Sequence, residues 1–248
     1  MADGLITHIE RSDSVDPELA QRQWDGYVAA LHDAGWTTHE VPPAPDCPDS
    51  AFVEDTMVVY GDLAIISRPG AEERWPETSA AEAAVSAQGY RVARIEAPGT
   101  LDGGDVLKHD GTVWVGIGGR TNADGIEQLS AHLEPFGAKV VAVPLTKALH
   151  LKSAVTALPD GTIVGYEPVV DDRGVWGDRF LAVPEEPGAH VVLLEDDTLL
   201  MSSAAPRTGD HFERRGYRVI RVDISEFEKL EGCVTCLSVR LRGRPDGH

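Results

Sequence analysis

Short runs of hydrophobic residues recur along the chain in a fixed order. Two β-favouring runs flank a turn, a helix-favouring stretch follows, and one more β-favouring run ends the group. The clearest group predicts strands at 52–59 and 63–66 around the turn Gly61-Asp62, a helix at 76–88 followed by Gly89, and a strand at 90–95. The pattern therefore predicts a ββαβ unit.

The same order is found three more times. The second copy predicts strands 105–108, 113–115 and 139–143 with a helix at 122–136. The third predicts strands 153–158, 162–166 and 179–183 without a well-marked helix, and the fourth predicts strands 191–194, 199–201 and 217–222 with a helix at 210–215. Repetition at such intervals is typical of radial architectures.

The two ends of the chain supply the elements of a fifth copy. The N-terminal region predicts a strand at 5–11, a helix at 17–34 and a strand at 37–41, and the C-terminal region predicts a strand at 233–241. Pairing of the terminal strands would close a ring. We therefore expect one α/β domain over residues 1–248, a five-bladed α/β propeller of ββαβ units around a central site. An unrelated α/β fold with alternating elements is the other interpretation.

Composition places the chain among ordinary globular proteins, with 42% hydrophobic and 25% charged residues. No apolar run approaches the roughly 20 residues that span a bilayer, and the N-terminal residues lack the pattern of a signal peptide. Three cysteines, an odd number, do not suggest a disulfide framework. We therefore expect a cytoplasmic protein.

The charge balance changes the expected partners. The chain has 22 basic and 41 acidic residues, which gives a net charge of −19. Such a charge disfavours nucleic acid and anionic membranes as partners, and it attracts small cationic molecules. An acidic surface that only maintains solubility is the alternative. The sequence leaves open whether the chain forms a homodimer.

Two of the three cysteines lie in Gly232-Cys233-Val234-Thr235-Cys236. Their spacing is that of a thiol redox pair, but such pairs usually precede a helix, whereas residues 237–241 favour a strand. No further cysteine or histidine stands at the spacing of a zinc site. Cys236 as a nucleophile, a redox pair of Cys233 and Cys236, and two buried apolar side chains are the three interpretations.

A histidine and several carboxylates are candidate partners of such a thiol. Asp102 precedes Gly103-Gly104, a pair that permits close backbone approach, and a carboxylate there could orient the imidazole of His150. Glu54 and Asp55 lie within an apolar segment, where an unpaired carboxylate is costly. These residues could form one nucleophilic site. A structural histidine and a solvated turn aspartate are the simpler alternatives.

Six segments resemble the motifs of the dimethylarginine dimethylaminohydrolase family, a member of the guanidino-group modifying superfamily. They follow the family order at similar separations, and the set is far more specific than any one segment. The segments are Phe52-Val53-Glu54-Asp55, Arg68-Pro69-Gly70-Ala71, Leu101-Asp102-Gly103-Gly104-Asp105-Val106-Leu107, Arg120-Thr121-Asn122, Leu149-His150-Leu151-Lys152-Ser153 and Thr235-Cys236.

The resemblance implies a pentein fold, which is the five-bladed propeller expected above, and hydrolysis of Nω-methylated L-arginine to L-citrulline and methylamine or dimethylamine. It implies Cys236 as the nucleophile that forms a covalent thiouronium intermediate, His150 as general acid and base, and Asp102 as the residue that orients His150. No metal and no organic cofactor is implied.

The resemblance also implies a set of substrate-binding residues. Asp55 would contact the substrate guanidinium, and Arg74 and Arg120 would bind its α-carboxylate, which suits the fork geometry of arginine. The backbone carbonyl of Leu230 would face the ligand. Further pocket residues would be Asp49, Phe52 and Glu54.

Lys152 distinguishes this chain from the arginine deiminases, which resemble it but carry an acidic residue two positions after the histidine. The loss of that acid fits a substrate with a methylated terminal nitrogen. The family's early lid loop is hard to align within 12–17, and Cys233 stands where an aliphatic residue is expected. A deiminase-like hydrolase of another guanidino or ureido substrate, a silent binder of arginine derivatives, and a thiol redox protein remain as alternatives.

Overall fold

The computed structural model describes residues 6–8, 14–195 and 197–242. The chain divides into two compact units. Unit 1 comprises residues 1–38 and 152–235, and unit 2 comprises residues 39–151 and 236–248. The expectation that residues 1–248 form a single domain remains a prediction.

The described residues contain α-helices that mostly fall where the sequence predicts them. The helices are α1 (Pro17–Asp33), α2 (Glu77–Ala87), α3 (Ala123–Leu133), α4 (Leu151–Ala154), α5 (Pro206–Arg214) and α6 (Ser225–Glu228). The strands are β1 (Met57–Tyr60), β2 (Leu63–Ile66), β3 (Arg91–Arg94), β4 (Val106–His109), β5 (Thr112–Ile117), β6 (Lys139–Pro144), β7 (Val155–Ala157), β8 (Ile163–Gly165), β9 (Phe180–Ala182), β10 (Val191–Glu195), β11 (Thr198–Ser202) and β12 (Arg218–Val222).

The strands form four three-stranded sheets, two in each unit. In unit 2 the sheets have the orders β1-β2-β3 and β4-β5-β6, and in unit 1 they have the orders β7-β8-β9 and β10-β11-β12. In every sheet the first two strands are antiparallel and the third is parallel to the second. A parallel pair needs a long crossover, and α2, α3 and α5 supply it in three of the sheets. The four predicted copies are therefore confirmed as an α/β arrangement.

Strands β1 and β2 of the first sheet of unit 2 are buried on both faces, which explains their unbroken hydrophobic sequences. Val58 and Ile65 point into one apolar cluster, which also contains Leu129 and Leu133 of α3. Their neighbours in the strands belong to a second cluster with α2. Because successive side chains of a strand alternate between faces, β1 and β2 connect the two clusters.

Helix α1 of unit 1 shows how local sequence sets the helix ends. The side chain of Asp16 accepts hydrogen bonds from the backbone N–H groups of Glu18 and Leu19, and Pro17 occupies the first turn. The helix ends before Gly35, whose φ of 84° favours glycine. Its buried residues recur at helical spacing and are Ala20, Gln23, Tyr27 and Leu31.

Four sequence expectations about strands are wrong or only partly right. The predicted strand 153–158 begins within α4 and is extended only at Val155–Ala157. The predicted strand 52–59 begins as a 3-10 turn at Val53–Thr56 and becomes extended only at Met57. No strand is assigned at 37–41 or at 233–241, and residues 234–237 form turns instead. Backbone carbonyls in this last segment are used by other partners, since Val234 accepts from the Tyr27 hydroxyl and Cys236 accepts from the Glu54 N–H.

The fifth predicted copy is therefore not seen as a sheet. Of the predicted strand 5–11, residues 6–8 carry no strand assignment, and the others lie outside the described residues. The predicted helix 17–34 is confirmed by α1. Among the helices that the structure describes, none is long and apolar enough to cross a membrane.

Candidate active site

Asp102 and His150 form a buried hydrogen-bonded pair in unit 2. His150 Nε2 donates to Asp102 Oδ2 at 2.9 Å, and the backbone N–H of Gly70 donates to Asp102 Oδ1 at 2.9 Å. The exposed fraction is 0% for Asp102 and 3% for His150. With both of its oxygens engaged, Asp102 can hold the imidazole in one orientation, as the sequence predicts.

Asp55 approaches the other side of the imidazole. It lies in the 3-10 turn Val53–Thr56, and its Oδ1 is 3.7 Å from His150 Nδ1. The same oxygen accepts a hydrogen bond from the backbone N–H of Gly104 at 2.8 Å. A Cβ atom at Gly104 would lie 2.5 Å from Asp55 Oδ1 and 2.8 Å from the His150 ring, so only glycine fits there.

The charges around His150 change its protonation. Burial of His150 acts to lower its pKa, but the Asp55 charge and the hydrogen bond to Asp102 outweigh it and raise the pKa to about 9. Burial of Asp55 acts to raise its pKa, but the charges of His150 and Arg74 lower it to about 2. At neutral pH the site therefore contains an imidazolium between two carboxylates.

Arg74 is occupied by internal partners. Its Nη1 donates to Asp55 Oδ2 at 2.6 Å, and its Nε and Nη2 donate to Glu77 at 2.8–3.2 Å. Nη2 also donates to the carbonyls of Asp49 and Phe52. Burial acts to lower the pKa of Arg74, but the charges of Asp55 and Glu77 and the hydrogen bonds to Glu77 have the larger effect, so the pKa of Arg74 is raised. These contacts hold Asp55 in place, and binding of a ligand carboxylate by Arg74 remains a prediction.

Arg120 has a different environment. Its side chain is 10% exposed, and its Nη1 lies 3.9 Å from Asp102 Oδ2. Within the described part of the chain, Nη1 is a buried donor without a hydrogen-bond partner. A buried unpaired donor is costly, and an anionic group of a ligand would satisfy it.

Cys236 is joined to the turn that carries Asp55. Its backbone carbonyl accepts a hydrogen bond from the Glu54 N–H at 3.1 Å, and its exposed fraction is 6%. The side chain of Glu54 is paired with Arg240, whose Nη2 donates to Oε1 at 2.7 Å. Glu54 and Asp55 are both buried because the 3-10 turn removes the alternation that a strand would impose.

The remaining predicted pocket residues are buried. In unit 2, Asp49 and Phe52 flank the start of the same turn, and the Phe52 N–H donates to the Asp49 carbonyl at 2.9 Å. Leu230 belongs to unit 1 and is 5% exposed. Their contacts with a ligand remain predictions.

The cysteines form no disulfide among the described residues. Cys233 belongs to unit 1, and its thiol lies 3.2 Å from the Thr235 hydroxyl. Residues 234–237 form turns, and no helix follows Cys236 within the described chain, so the usual setting of a redox pair is missing.

Asp55, Asp102 and His150 bring three potential metal-ligand atoms within 4.8 Å of one another. The guanidinium of Arg74 contacts Asp55, and that of Arg120 lies beside Asp102. These two cations and the imidazolium repel a further cation of high charge density. The donor set therefore suits hydrogen bonding better than metal binding.

Three residues that the sequence did not single out support this centre. Glu77 pairs with Arg74, three positions earlier, at the start of α2. Asp105 accepts hydrogen bonds from the Thr121 hydroxyl at 2.6 Å and from the Leu151 N–H at 3.0 Å. Asp105 and Thr121 both occur in quoted motif segments, but a hydrogen bond between distant residues leaves no periodic signal.

A surface groove of about 780 Å³ lies elsewhere in unit 2, between α3 and β6. Small and aliphatic side chains such as Ala131, Val140 and Ala142 line it, together with Glu127 and Glu134. The groove contains none of the predicted catalytic residues. The candidate site is therefore defined by its polar contacts rather than by this groove.

Comparison with known proteins points to the same chemistry. The family model for arginine deiminase matches residues 28–191. The N(G),N(G)-dimethylarginine dimethylaminohydrolase of Streptomyces coelicolor is 59% identical over 98% of this chain and 93% of its own. The corresponding protein of Pseudomonas aeruginosa is 36% identical over 97% of this chain and 94% of its own.

The structural comparison agrees over the same length. A solved structure of the Pseudomonas aeruginosa enzyme, a cysteine-to-serine variant in complex with citrulline, matches with a TM-score of 0.89 and 35% identity. The match covers 97% of this chain and 94% of that one. The chain therefore belongs to the arginine deiminase family and, within it, to the dimethylarginine dimethylaminohydrolases.

Proposed function

We propose that this protein hydrolyses Nω-methylated L-arginine, as dimethylarginine or monomethylarginine, to L-citrulline and dimethylamine or methylamine. The observation that carries the proposal is the buried ring of His150, held between Asp55 and Asp102 in the unit that also contains Cys236. The 59% identity to a dimethylarginine dimethylaminohydrolase supports the choice of substrate.

The substrate is a cation at one end and a carboxylate at the other. Asp55 would attract the guanidinium, with Asp49, Phe52 and Glu54 as further residues at the same end. Arg120 is the better placed arginine for the α-carboxylate because its Nη1 is an unused donor. Arg74 would join it only by exchanging some of its internal contacts.

In the first chemical step the Cys236 thiolate adds to the guanidinium carbon. That carbon is a weak electrophile because resonance spreads its charge, so the carboxylates must hold it close to the sulfur. The His150 imidazolium then transfers a proton to the methylated nitrogen, and methylamine or dimethylamine leaves. An S-alkyl thiouronium on Cys236 remains.

In the second step the neutral His150 accepts a proton from a water molecule, and the resulting hydroxide adds to the thiouronium carbon. The carbon–sulfur bond then breaks, which regenerates the thiolate, and the hydroxyl proton on the former guanidinium carbon passes through solvent to the released amine, so that neutral citrulline and an alkylammonium ion result. His150 again carries its proton, so the two steps balance as the substrate plus one water. The sequence of steps uses no metal and no organic cofactor.

Lys152 supports a methylated substrate over arginine. It stands where arginine deiminases carry an acid, so it offers no acceptor to an unsubstituted terminal nitrogen. An arginine deiminase-like hydrolase of another guanidino or ureido substrate is the second candidate, because the arginine deiminase model matches most of the chain.

Our remaining proposals concern the setting of the site. The four repeated sheets support a five-bladed α/β propeller of the pentein type, formed as a single domain over residues 1–248. The net charge of −19 supports a small cationic amino acid as partner rather than nucleic acid or a membrane. We further propose a cytoplasmic protein, and gel filtration tests whether it is a homodimer.

Citrulline release from arginine, monomethylarginine and dimethylarginine tests the proposal. We expect turnover of the methylated compounds in preference to arginine, and none with Cys236→Ser. Cys233→Ser is the matched control and should retain most activity. Preference for arginine would favour the deiminase, and binding without citrulline would favour a silent binder. If the wild-type protein had disulfide reductase activity and each of the two cysteine variants lacked it, the result would favour the thiol redox protein.

A further inference from the structure

Asp105 and Thr121 lie next to the catalytic pair but take no part in the proposed chemistry. Asp105 is 1% exposed and Thr121 is 0% exposed. We propose that Asp105 is a positioning residue which, together with Thr121, holds His150 and Asp102 in place and supplies a buried negative charge beside the imidazole. This inference rests on the proposed function, because it assigns His150 and Asp102 their roles.

One carboxylate connects the backbones of both catalytic residues. Asp105 Oδ1 accepts from the N–H of Leu151, the peptide group that directly follows His150, at 3.0 Å. Asp105 Oδ2 accepts from the Thr121 hydroxyl at 2.6 Å, and the Thr121 oxygen accepts from the Asp102 N–H at 3.1 Å. A shift of Asp105 would therefore move both partners of the Asp102–His150 hydrogen bond.

The space around Asp105 is fitted to its side chain. A Cβ atom at Gly116 of β5 would lie 2.8 Å from Asp105 Oδ1, so this glycine leaves room for the carboxylate. A buried carboxylate costs several kcal/mol unless it is compensated. A neutral residue could fill the same space at lower cost, which suggests that the charge itself has a role.

The charge acts mainly on His150. The charged groups that face Asp105 are His150 at the start of α4 and Asp102 in its own turn, whereas β5 presents only Gly116 there. The neighbouring turn Val53–Thr56 contributes Asp55, whose carboxylate contacts Gly104 instead. Asp105 is one of the acids that raise the pKa of His150.

The surroundings of Asp105 also change its own pKa. Burial raises its pKa to about 7, against the opposing effects of the His150 charge and the Thr121 hydrogen bond. Loss of the Asp105 charge would make the His150 imidazolium less stable. His150 would then lose its proton at lower pH and be a weaker source of the proton for the leaving amine.

The test compares Asp105→Asn with Asp62→Asn. Asparagine at position 105 keeps the size of the side chain and one acceptor oxygen but removes the negative charge. Asp62→Asn is the control because it removes the same charge from an exposed ion pair with Arg91 in the same unit. We expect NMR titration of the His150 ring in Asp105→Asn to move to lower pH by about one unit or more. We also expect kcat to fall about tenfold, with KM within about threefold of wild type.

The control Asp62→Asn should match wild type in the His150 titration, in kcat and in KM. A His150 titration in Asp105→Asn that coincides with that of wild type would overturn the proposal, even if activity fell. The ring titration needs no turnover, so it tests the inference independently of activity. Failure of the proposed function would instead appear as a wild-type protein that releases no citrulline.

Thr121 provides a second pair of variants in case Asp105→Asn does not fold. Thr121→Val removes the hydroxyl that bonds to Asp105, which would raise the pKa of Asp105 and weaken the negative charge that acts on His150. Thr121→Ser keeps the hydroxyl. We expect the His150 titration to move to lower pH in Thr121→Val and to stay in place in Thr121→Ser. Identical titrations in the two variants would contradict the proposed arrangement.

Discussion

The carboxylate of Asp102 and the imidazole of His150 are joined by a buried hydrogen bond of 2.9 Å. Gly70 fixes the second oxygen of Asp102, and Asp55 lies on the opposite edge of the imidazole. This arrangement leaves His150 with a single orientation and a pKa raised to about 9. A proton donor for the departing amine is therefore present at neutral pH.

We predict that Asp102→Asn lowers kcat on the order of a hundredfold or more while the fold is retained. The amide keeps the shape of the carboxylate but neither attracts the imidazolium nor fixes its proton. Steady-state kinetics of citrulline release measure the effect, with Asp110→Asn as control because Asp110 is an exposed turn residue. Equal rates for both variants would exclude Asp102 from the centre.

We predict that substitution of Arg120 weakens substrate binding, whereas substitution of Arg74 lowers the stability of the protein. Arg120→Gln should raise KM for dimethylarginine at least tenfold, about 1.4 kcal/mol of binding, with little change in stability. Binding of a methylated agmatine, which has no α-carboxylate, should be unaffected. Isothermal titration with both ligands measures the difference. Equal weakening for the two ligands would contradict the role of Arg120.

Arg74→Gln should instead destabilise the protein. Removing this buried guanidinium leaves Asp55 and Glu77 without their ion-pair partner, which typically costs about 3–5 kcal/mol. Urea unfolding measures the loss, with Arg91→Gln as control because the Arg91 ion pair is exposed. An Arg74→Gln protein of wild-type stability with a raised KM would restore the substrate-binding role that the sequence predicts.

The repeating fold could be predicted from the sequence because short hydrophobic runs around a turn recur in every copy. Val58 and Ile65 lie in two such runs, and α3 begins directly after Asn122, whose side chain accepts from the Gly125 N–H. The segment after Gly232 has the same apolar composition but forms turns. Its carbonyls bond to distant groups, and composition does not reveal such partners.

The residues of the candidate site were predicted by motif, and the structure adds their contacts. Asp102 and His150 are hydrogen-bonded, and the Cys236 carbonyl accepts from Glu54, whose segment forms a 3-10 turn where a strand was predicted. The internal contacts of Arg74 and the role of Asp105 were not predictable. Each depends on which atoms meet in space, and a motif names residues without their partners.

We predict a loss of stability at alkaline pH that depends on His150. Its pKa is about 9 in the folded chain against an ordinary value of 6.5, so its protonation stabilises the fold fully below about pH 6.5. That contribution, roughly 3 kcal/mol at most, is lost as the pH rises through about 9. Urea unfolding at several pH values should show a shallower decline in His150→Gln than in wild type.

The acid side should behave differently. Asp55 has a pKa lowered to about 2, so its stabilising contribution is present above about pH 4 and is lost as the pH falls through 2. Because the His150 charge helps to lower the pKa of Asp55, that pKa should rise in His150→Gln, and the loss of stability in acid should be smaller in this variant than in wild type. Identical profiles of the two proteins between pH 6.5 and 9 would contradict the raised pKa of His150.

We predict that Arg240 fixes the position of the nucleophile. Glu54 contacts the Cys236 segment twice, through its N–H to the Cys236 carbonyl and through its carboxylate to Arg240. Arg240→Gln removes the second contact and leaves a buried carboxylate without its ion-pair partner. The segment that carries the thiol should then move more, and kcat should fall about tenfold with a smaller change in KM.

The control for Arg240 is Arg242→Gln, which removes the same charge from an exposed residue of the same segment. Alkylation of Cys236 by iodoacetamide, followed by mass spectrometry, reports on the thiol without turnover. We expect the alkylation rate to change in Arg240→Gln and to stay at the wild-type value in Arg242→Gln. Because a loss of global stability would also affect other buried thiols, Cys47 serves as the internal reference. Equal changes at Cys47 and Cys236 would show that Arg240 stabilises the unit as a whole rather than the nucleophile.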